Sequence, residues 1–229
     1  MIQYGLASSD ASPPRTYASL VASLSPIAWW RSFSGATWTD ASGNGYHATL
    51  IGNPSIVTGI PGAAADGAAS LDGAGQYGQG PLVPQGNYFA IVAWVQGGSL
   101  SGRIASNRYD TSNVGFDWYV YNTNRIGMYV PNGPWLSGSM AYGNLIDDAW
   151  HMLAYSCDSV SASLWIDGAM VSRVSAGPAG VSSQSLILGG QSLANGLAPT
   201  FNGNLAEVSI HPPLTVAQIA QLWAAGISG

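Results

Sequence analysis

Two stretches of this chain hold residue types at spacings that suit chemistry. The first is Asp40-Ala-Ser-Gly-Asn-Gly45. Asp40, Ser42, Gly43 and Asn44 fall in one tight loop, and a hard cation such as calcium takes carboxylate and carbonyl oxygens in flexible loops of this kind. The same residues suit a capped turn in which the Asp40 carboxylate accepts backbone amides, and both readings stay open. His47 follows the loop, where a lone histidine is more often a packed polar group than a ligand. The second stretch runs from residue 107 to 144 and interleaves Tyr109, Phe116, Trp118, Tyr119, Tyr121, Tyr129, Trp135 and Tyr142 with asparagines and aspartates. On an extended strand Phe116, Trp118 and Val120 share one face, while Asp117, Tyr119 and Tyr121 share the other. The first face is assigned to the core. Tyr119, Tyr121 and Trp135 are the surface candidates. Exposed tyrosine and asparagine suit a protein interface, which ranks ahead of a sugar site built from an aromatic face and a few fixed polar groups.

Catalytic constellations fare worse. A glycosidase needs two carboxyl groups flanking the scissile bond, and Glu207 is the one glutamate in the chain. Asp147 and Asp148 are neighbours, and neighbours on an extended chain point to opposite faces. No Gly-x-Ser-x-Gly elbow occurs, and His47, His151 and His211 sit in ordinary strand or loop contexts. The run Gly73–Gly80 opens no helix, so it reads as a loop with no role in holding phosphate. A non-enzymatic protein is expected.

Composition narrows the class. Hydrophobic residues make up 47% of the 229 residues and charged ones only 7%, a balance that favours a packed core over disorder. All six basic residues are arginine, and the net charge of −5 argues against nucleic acid, which demands a basic footprint. No apolar run approaches the roughly 18 residues that cross a bilayer, and the first residues carry neither a basic nor an apolar signal region. Cys157 has no partner and reads as a buried structural thiol. A surface of Ser, Asn, Gly and Gln suits tight assembly or sugar contacts.

The elements that must position these residues follow a β rhythm. Residues 1–14 end in Pro13-Pro14 and read as an extended arm. Tyr17, Leu20, Val21 and Leu24 have helix spacing within Arg15–Leu24, closed by Pro26. From residue 27 onward short apolar runs alternate with Gly, Asn, Pro and Asp turns. Strands are expected at Val114–Tyr121, Arg125–Val130, Trp150–Cys157, Ala162–Ile166, Ala169–Val174, Ser185–Leu188 and Asn204–Ile210. Ile91–Val95 is apolar on both faces and should be central, and Asp167-Gly168 is a hairpin turn. Leu214–Trp223 reads as an amphipathic helix with Thr215 as its N-cap and Gly226 as its stop. The chain therefore divides into an arm with a short helix over residues 1–25 and one domain over residues 26–229.

Asp148-Ala-Trp-His-Met-Leu-Ala-Tyr155, Ser163-Leu-Trp-Ile-Asp-Gly168 and Phe201-Asn-Gly-Asn-Leu-Ala-Glu-Val208 resemble the closing strands of a laminin-G-like domain. Ile27-Ala-Trp-Trp-Arg31, the loop from Thr39 to His47, Ser70-Leu-Asp-Gly73 and Phe89-Ala-Ile-Val-Ala-Trp94 follow in the order of that family. The resemblance implies an all-β, concanavalin A-like jelly-roll β-sandwich of two antiparallel sheets, with a short N-terminal helix and a C-terminal helix. It also implies a calcium ion held by the Asp40 and Asn44 loop together with Glu207. The lead-in from Tyr17 to Arg31 resembles that of tailed-phage structural proteins. This implies a virion component, either a capsid decoration or a minor tail protein. It would assemble in many copies in the bacterial cytoplasm, bind other virion proteins through the N-terminal arm, and touch cell-surface glycans. A free calcium-dependent carbohydrate-binding lectin is the alternative. Neither nucleic acid nor membrane insertion is expected.

Overall fold

The computed structural model describes residues 15–108, 114–122, 125–131, 135–139, 145, 147–191 and 200–228. The expected arm over residues 1–14 lies outside them. Among the described residues fifteen strands and two α-helices follow in chain order. Helix α1 (Tyr17–Ser23) leads into β1 (Ala28–Ser34), β2 (Thr37–Asp40), β3 (Ala48–Ile51) and β4 (Ser55–Val57). A 3-10 segment (Pro61–Asp66) precedes β5 (Ala68–Asp72) and β6 (Tyr77–Gln79). The long β7 (Ala90–Ser106) is followed by β8 (Asp117–Asn122), β9 (Arg125–Tyr129) and β10 (Leu136–Ser139). Then come β11 (His151–Cys157), β12 (Ser161–Ile166), β13 (Ala169–Ser175), β14 (Ile187–Leu188), β15 (Asn202–His211) and helix α2 (Val216–Ile227).

Every pairing between these strands is antiparallel, and two layers form because β7 serves both. Its first half, Ala90–Val95, lies between β11 and β15, in the order β13-β12-β11-β7-β15-β5-β4. Its second half, Gly102–Ser106, pairs with β8 and β14, in the order β10-β9-β8-β7-β14-β6-β3-β2-β1. Strand β1 closes the ring by pairing with both β2 and β15. This is the jelly-roll sandwich that the sequence implies.

The period-two alternation of side chains sorts the core into two clusters. Trp30, Trp38, Phe89, Ile91, Phe116, Trp118, Leu153 and Phe201 fill the space between the layers. Their strand neighbours Trp29, Val92, Trp94, Met152 and Ala154 point the other way and pack against Tyr17, Leu20, Val21, Ile219 and Leu222 of the helices. Helices on its outer face explain why Ile91–Val95 is apolar on both sides. Trp94 is the hub: its indole N–H donates to the Tyr17 hydroxyl at 3.0 Å, and its ring stacks on Trp223 at 5.4 Å.

Several expectations shift. Thr16 caps α1, with its hydroxyl accepting the Ser19 amide, so the helix begins later than Arg15. Thr215 caps α2 in a box with Gln218, as its sequence implies. Gly226 does not stop that helix but lies inside it. A Cβ there would collide with the Trp94 indole, so this glycine permits close docking. Asp167 and Gly168 do take the positive φ values, 53° and 75°, that the hairpin turn requires. The run Gly73–Gly80 is not simply a loop, since it contains β6. Strand β8 begins at Asp117 rather than Val114, and β14 is confined to Ile187–Leu188. No helix among the described residues is long and apolar enough to cross a membrane.

Candidate functional site

On β8 the alternation places Trp118 and Val120 in the sandwich core, so Asp117, Tyr119 and Tyr121 lie on the outer face. Among the described residues no helix packs on this layer, and its outer face holds an aromatic cradle. The Tyr119 and Tyr121 hydroxyls share a hydrogen bond of 2.8 Å, and their rings meet edge to face at 4.5 Å. Trp135, just before β10, stands 5.8 Å from Tyr119, 6.2 Å from Tyr121 and 5.6 Å from Tyr129. The residue is 54% exposed, a large apolar side chain left open to solvent. Gly127 on β9 lies directly opposite Tyr119, and a Cβ there would press into both tyrosine rings. The missing side chain is what lets the rings lie down on β9.

The polar side of the cradle is built on Asp117, which is almost fully buried. Its carboxylate accepts Ser106 Oγ at 2.6 Å, Arg103 Nε at 3.3 Å and Arg108 Nη1 at 3.2 Å. Those bonds fix two guanidinium groups at the edge of the aromatic floor. Arg108 lies over the Tyr129 ring at 4.5 Å. Arg125 lies over Tyr121 at 5.5 Å while donating to Ser137 Oγ at 2.9 Å. Burial, and then the bond to Tyr121, push the Tyr119 hydroxyl far above its ordinary pKa, so it stays a neutral donor. The open cavity measures about 530 Å³, within the range of small-ligand sites. Tyr119, Tyr121 and Trp135, singled out from sequence, all line it.

The expected calcium site takes a different form. Asp40 Oδ1 accepts the Trp29 and Ser42 amides, each within 2.9 Å. Oδ2 accepts the Ser42 hydroxyl and the Tyr46 amide, both at 2.8 Å. The carboxylate thus ties the loop to β1 and has four donors aimed at it. Asn44 turns its amide nitrogen onto the Ile27 carbonyl at 2.9 Å, and His47 Nδ1 accepts the Asp40 amide at 3.0 Å. Glu207 is elsewhere, in a bulge of β15 with φ of 51°, where its Oε2 accepts the Trp29 indole N–H at 2.6 Å. Trp29 belongs to the helix-covered cluster, and its indole ties Glu207 to that face with Arg31 and Asp66. Burial raises the Glu207 pKa, aided by Asp66, against the opposing pull of Trp29 and Arg31. Calcium wants six to eight oxygens around one point. The Asp40 carboxylate already accepts four protein donors, and among the described residues no group of three or more His, Cys, Asp and Glu is placed to hold a metal ion.

The family model for the concanavalin A-like lectin/glucanases superfamily, Laminin_G_3, matches residues 66–220. The chain belongs to that superfamily. No curated protein sequence matches it. Among solved structures, domain 4 of AbnA, a GH43 extracellular arabinanase from Geobacillus stearothermophilus solved with arabinotriose, aligns with a TM-score of 0.63. Its identity is 22%, over 86% of this chain and 97% of that one. The Botulinum Neurotoxin serotype G binding domain aligns with a TM-score of 0.64 at 14% identity, over 87% of this chain and 50% of that chain. The binding domain of Paraclostridial Mosquitocidal Protein 1 gives 0.62 at 12% identity, over 86% and 52%. This lectin/glucanase-type domain therefore spans about half the length of those toxin domains. At such identities the likeness is one of fold.

Within this superfamily member the remaining ionisable groups hold structure together. Cys157 is buried, its pKa raised by that burial, and its thiol faces the Asp158 and Gly177 carbonyls. His151 is clamped between two carboxylates, Nδ1 to Asp167 at 2.8 Å and Nε2 to Asp147 at 3.0 Å. Both ring nitrogens are thereby engaged across the start of the β11–β12 hairpin. Sequence reasoning had passed over Gly127, Arg103 and Arg108, because their place in the cradle depends on register across three strands.

The His151 clamp makes a pH prediction. Burial alone would lower the imidazole pKa, but the Asp167 and Asp147 hydrogen bonds outweigh it and the pKa rises. A raised folded pKa contributes stability that is complete below the unfolded value of about 6.5 and lost as pH climbs through the folded value. In Asp147→Asn the NMR titration midpoint of His151 should fall. The stability deficit of the variant against wild type should be larger at pH 5.5 than at pH 9. An equal deficit at both pH values would contradict the clamp.

Proposed function

We propose that this chain is a non-catalytic carbohydrate-binding module that presents its aromatic cradle to surface glycans from a multi-copy assembly. The observation that carries the reading is the convergence of Tyr119, Tyr121, Tyr129 and Trp135 around one cavity edged by fixed guanidinium groups. Pyranose rings expose a C–H face that packs on aromatic surface and hydroxyls that need oriented polar groups. A concave cavity of this size suits a short oligosaccharide better than a protein partner, which covers roughly 800 Å² of flatter surface. Membership of a lectin/glucanase superfamily and the arabinotriose bound to domain 4 of AbnA support the same reading. Binding is metal-independent, because the Asp40 loop is held by hydrogen bonds and lies apart from the cradle.

The assembly we infer is a tailed-phage virion, with the chain as a capsid decoration or minor tail protein. The lead-in from Tyr17 to Arg31 and the sparse charge, 7% of residues, support it. The layout suits it as well: α1, where the arm joins, packs on the outer face of one layer, while the cradle occupies the outer face of the other. Many copies would turn weak single contacts into avidity.

A glycan array probed with the purified chain tests the binding role. Specific signals should persist in chelator and fall about tenfold or more in Trp135→Ala, the loss of about 1.4 kcal/mol expected for a stacking ring. A blank array with folded protein, or undiminished binding by the variant, would contradict it. Deleting residues 1–14 should leave the melting temperature and glycan binding unchanged while abolishing incorporation into particles. Normal incorporation would refute the arm.

A further inference from the structure

We propose that the small cavity between the start of α2 and strands β11, β12 and β13 binds a protonated phosphate group, seated on Ser163 and flanked by Arg173 and the first amide of α2. The site lies on the helix-backed layer and is independent of the aromatic cradle.

Strand register builds it. Ser156 on β11 pairs with Ser163 on β12, and Ser163 pairs with Arg173 on β13. Directly paired residues share a face, with Cβ atoms about 5 Å apart, so the three side chains form one row across the layer. That row is on the outer face, because Ala162 and Leu164 of β12 point into the sandwich core. At one end the Ser156 hydroxyl donates to the Leu214 carbonyl at 2.8 Å and accepts the Leu214 amide at 2.9 Å. Both bonds pin the lead-in of α2 beside the strands. At the other end Arg173 is drawn back over β12 by a bond of 3.1 Å from Nη2 to Ser161 Oγ. Ser163 is left between a helix start and a guanidinium.

Its hydroxyl is unspent. Ser163 is only 7% exposed, yet its Oγ has no hydrogen-bond partner among the described residues, and it lines the cavity. Buried hydroxyls are normally paired, so this one is placed to meet a ligand. The groups around it are mostly donors. The Thr215–Gln218 box takes up the amides of Thr215 and Gln218. It leaves the Val216 amide at the helix start, where anions are favoured. Among the described residues Arg173 keeps Nε and Nη1 for a ligand, and a guanidinium matches phosphate oxygens. Donors therefore approach from the strand floor, the helix end and the β13 side, an arrangement suited to a tetrahedral oxyanion.

Asp158 supplies the acceptor that selects a protonated form. It lines the same cavity, and its Oδ1 accepts the Ser161 and Val160 amides, each at 2.7 Å. Those amides hold its pKa below the usual carboxylate value, so it stays ionised. An ionised carboxylate only accepts. Its Oδ2 can take a P–OH proton, and it repels an anion such as sulfate that has no proton to give. The cavity, about 190 Å³, is smaller than the roughly 300 Å³ at which sites for larger ligands begin, and it suits one such group.

Calorimetry on the full chain tests the site with inorganic phosphate, methyl phosphate and sulfate at pH about 5.5, where a phosphomonoester keeps a proton. Inorganic phosphate should bind at one site per chain, about tenfold more tightly than sulfate. Ser163→Ala and Arg173→Gln should each weaken phosphate about tenfold while leaving the melting temperature of the free protein unchanged. Asp158→Asn should bring the phosphate-to-sulfate ratio close to one. Arg15→Gln, which removes an equal charge from beside α1, should leave binding as it is. Methyl phosphate binding would extend the site to phosphomonoesters, and inorganic phosphate alone would assign it to the free ion. No saturable phosphate binding by folded protein, or binding undiminished in both Ser163→Ala and Arg173→Gln, would overturn the site. Sulfate binding as tightly as phosphate would overturn the assignment of a protonated group.

Discussion

Strand β7 is the constraint on which the rest of the molecule depends. Its two halves belong to different layers, with Ala90–Val95 between β11 and β15 and Gly102–Ser106 between β8 and β14. The crossing is set at Gly102, with φ of 96°, where a side chain would run into the Thr200 carbonyl. One step later Arg103 leaves the strand toward Asp117, and Ile104 and Ala105 return to the core. The same strand thus places Trp94 under the helices and Arg103 in the cradle. A shift of its register by one residue would exchange inward for outward side chains in both layers.

The two outer faces have been given different work. The helix-backed face is closed by aromatic burial around Trp94, Tyr17 and Trp223 and by a polar cluster in which Trp29 and Arg31 meet Glu207 and Asp66. Glu207 is the buried member of that cluster, and removing a partner of a buried polar group costs more than the contact contributes. That cluster therefore makes the docking geometry of this face specific. The opposite face keeps Trp135 and Tyr121 exposed and buries Asp117, the reverse of what stability alone would favour. Open aromatic surface beside a buried carboxylate is characteristic of a surface shaped for a ligand.

The sequence carried the cradle only in part. Alternation along β8 separates Trp118 from Tyr119 without any knowledge of the fold, which is why Tyr119 and Tyr121 could be read as a surface pair. Gly127, Arg103 and Arg108 could not be, since their approach depends on cross-strand register that slips at Arg103/Ala105 and again at Val120/Asn122. Asp40 was legible as a loop organiser. Its residue types are shared by cation sites and capped turns, and the four donors around its carboxylate are those of a capped turn. Gly226 shows the limit of local rules: its composition says helix stop, while its reason for being glycine is the Trp94 indole, far away in sequence. The short strands β2, β3, β4 and β6 escaped because three or four residues are too few to establish a period in the sequence.

The measurement that bears most directly on the cradle is a crystal structure of the chain with the tightest-binding glycan. The sugar should lie against Trp135 and Tyr121 with Arg103 within hydrogen-bonding reach. A sugar seated on the Asp40 loop, or anywhere on the helix-backed face, would contradict the assignment of function to this layer.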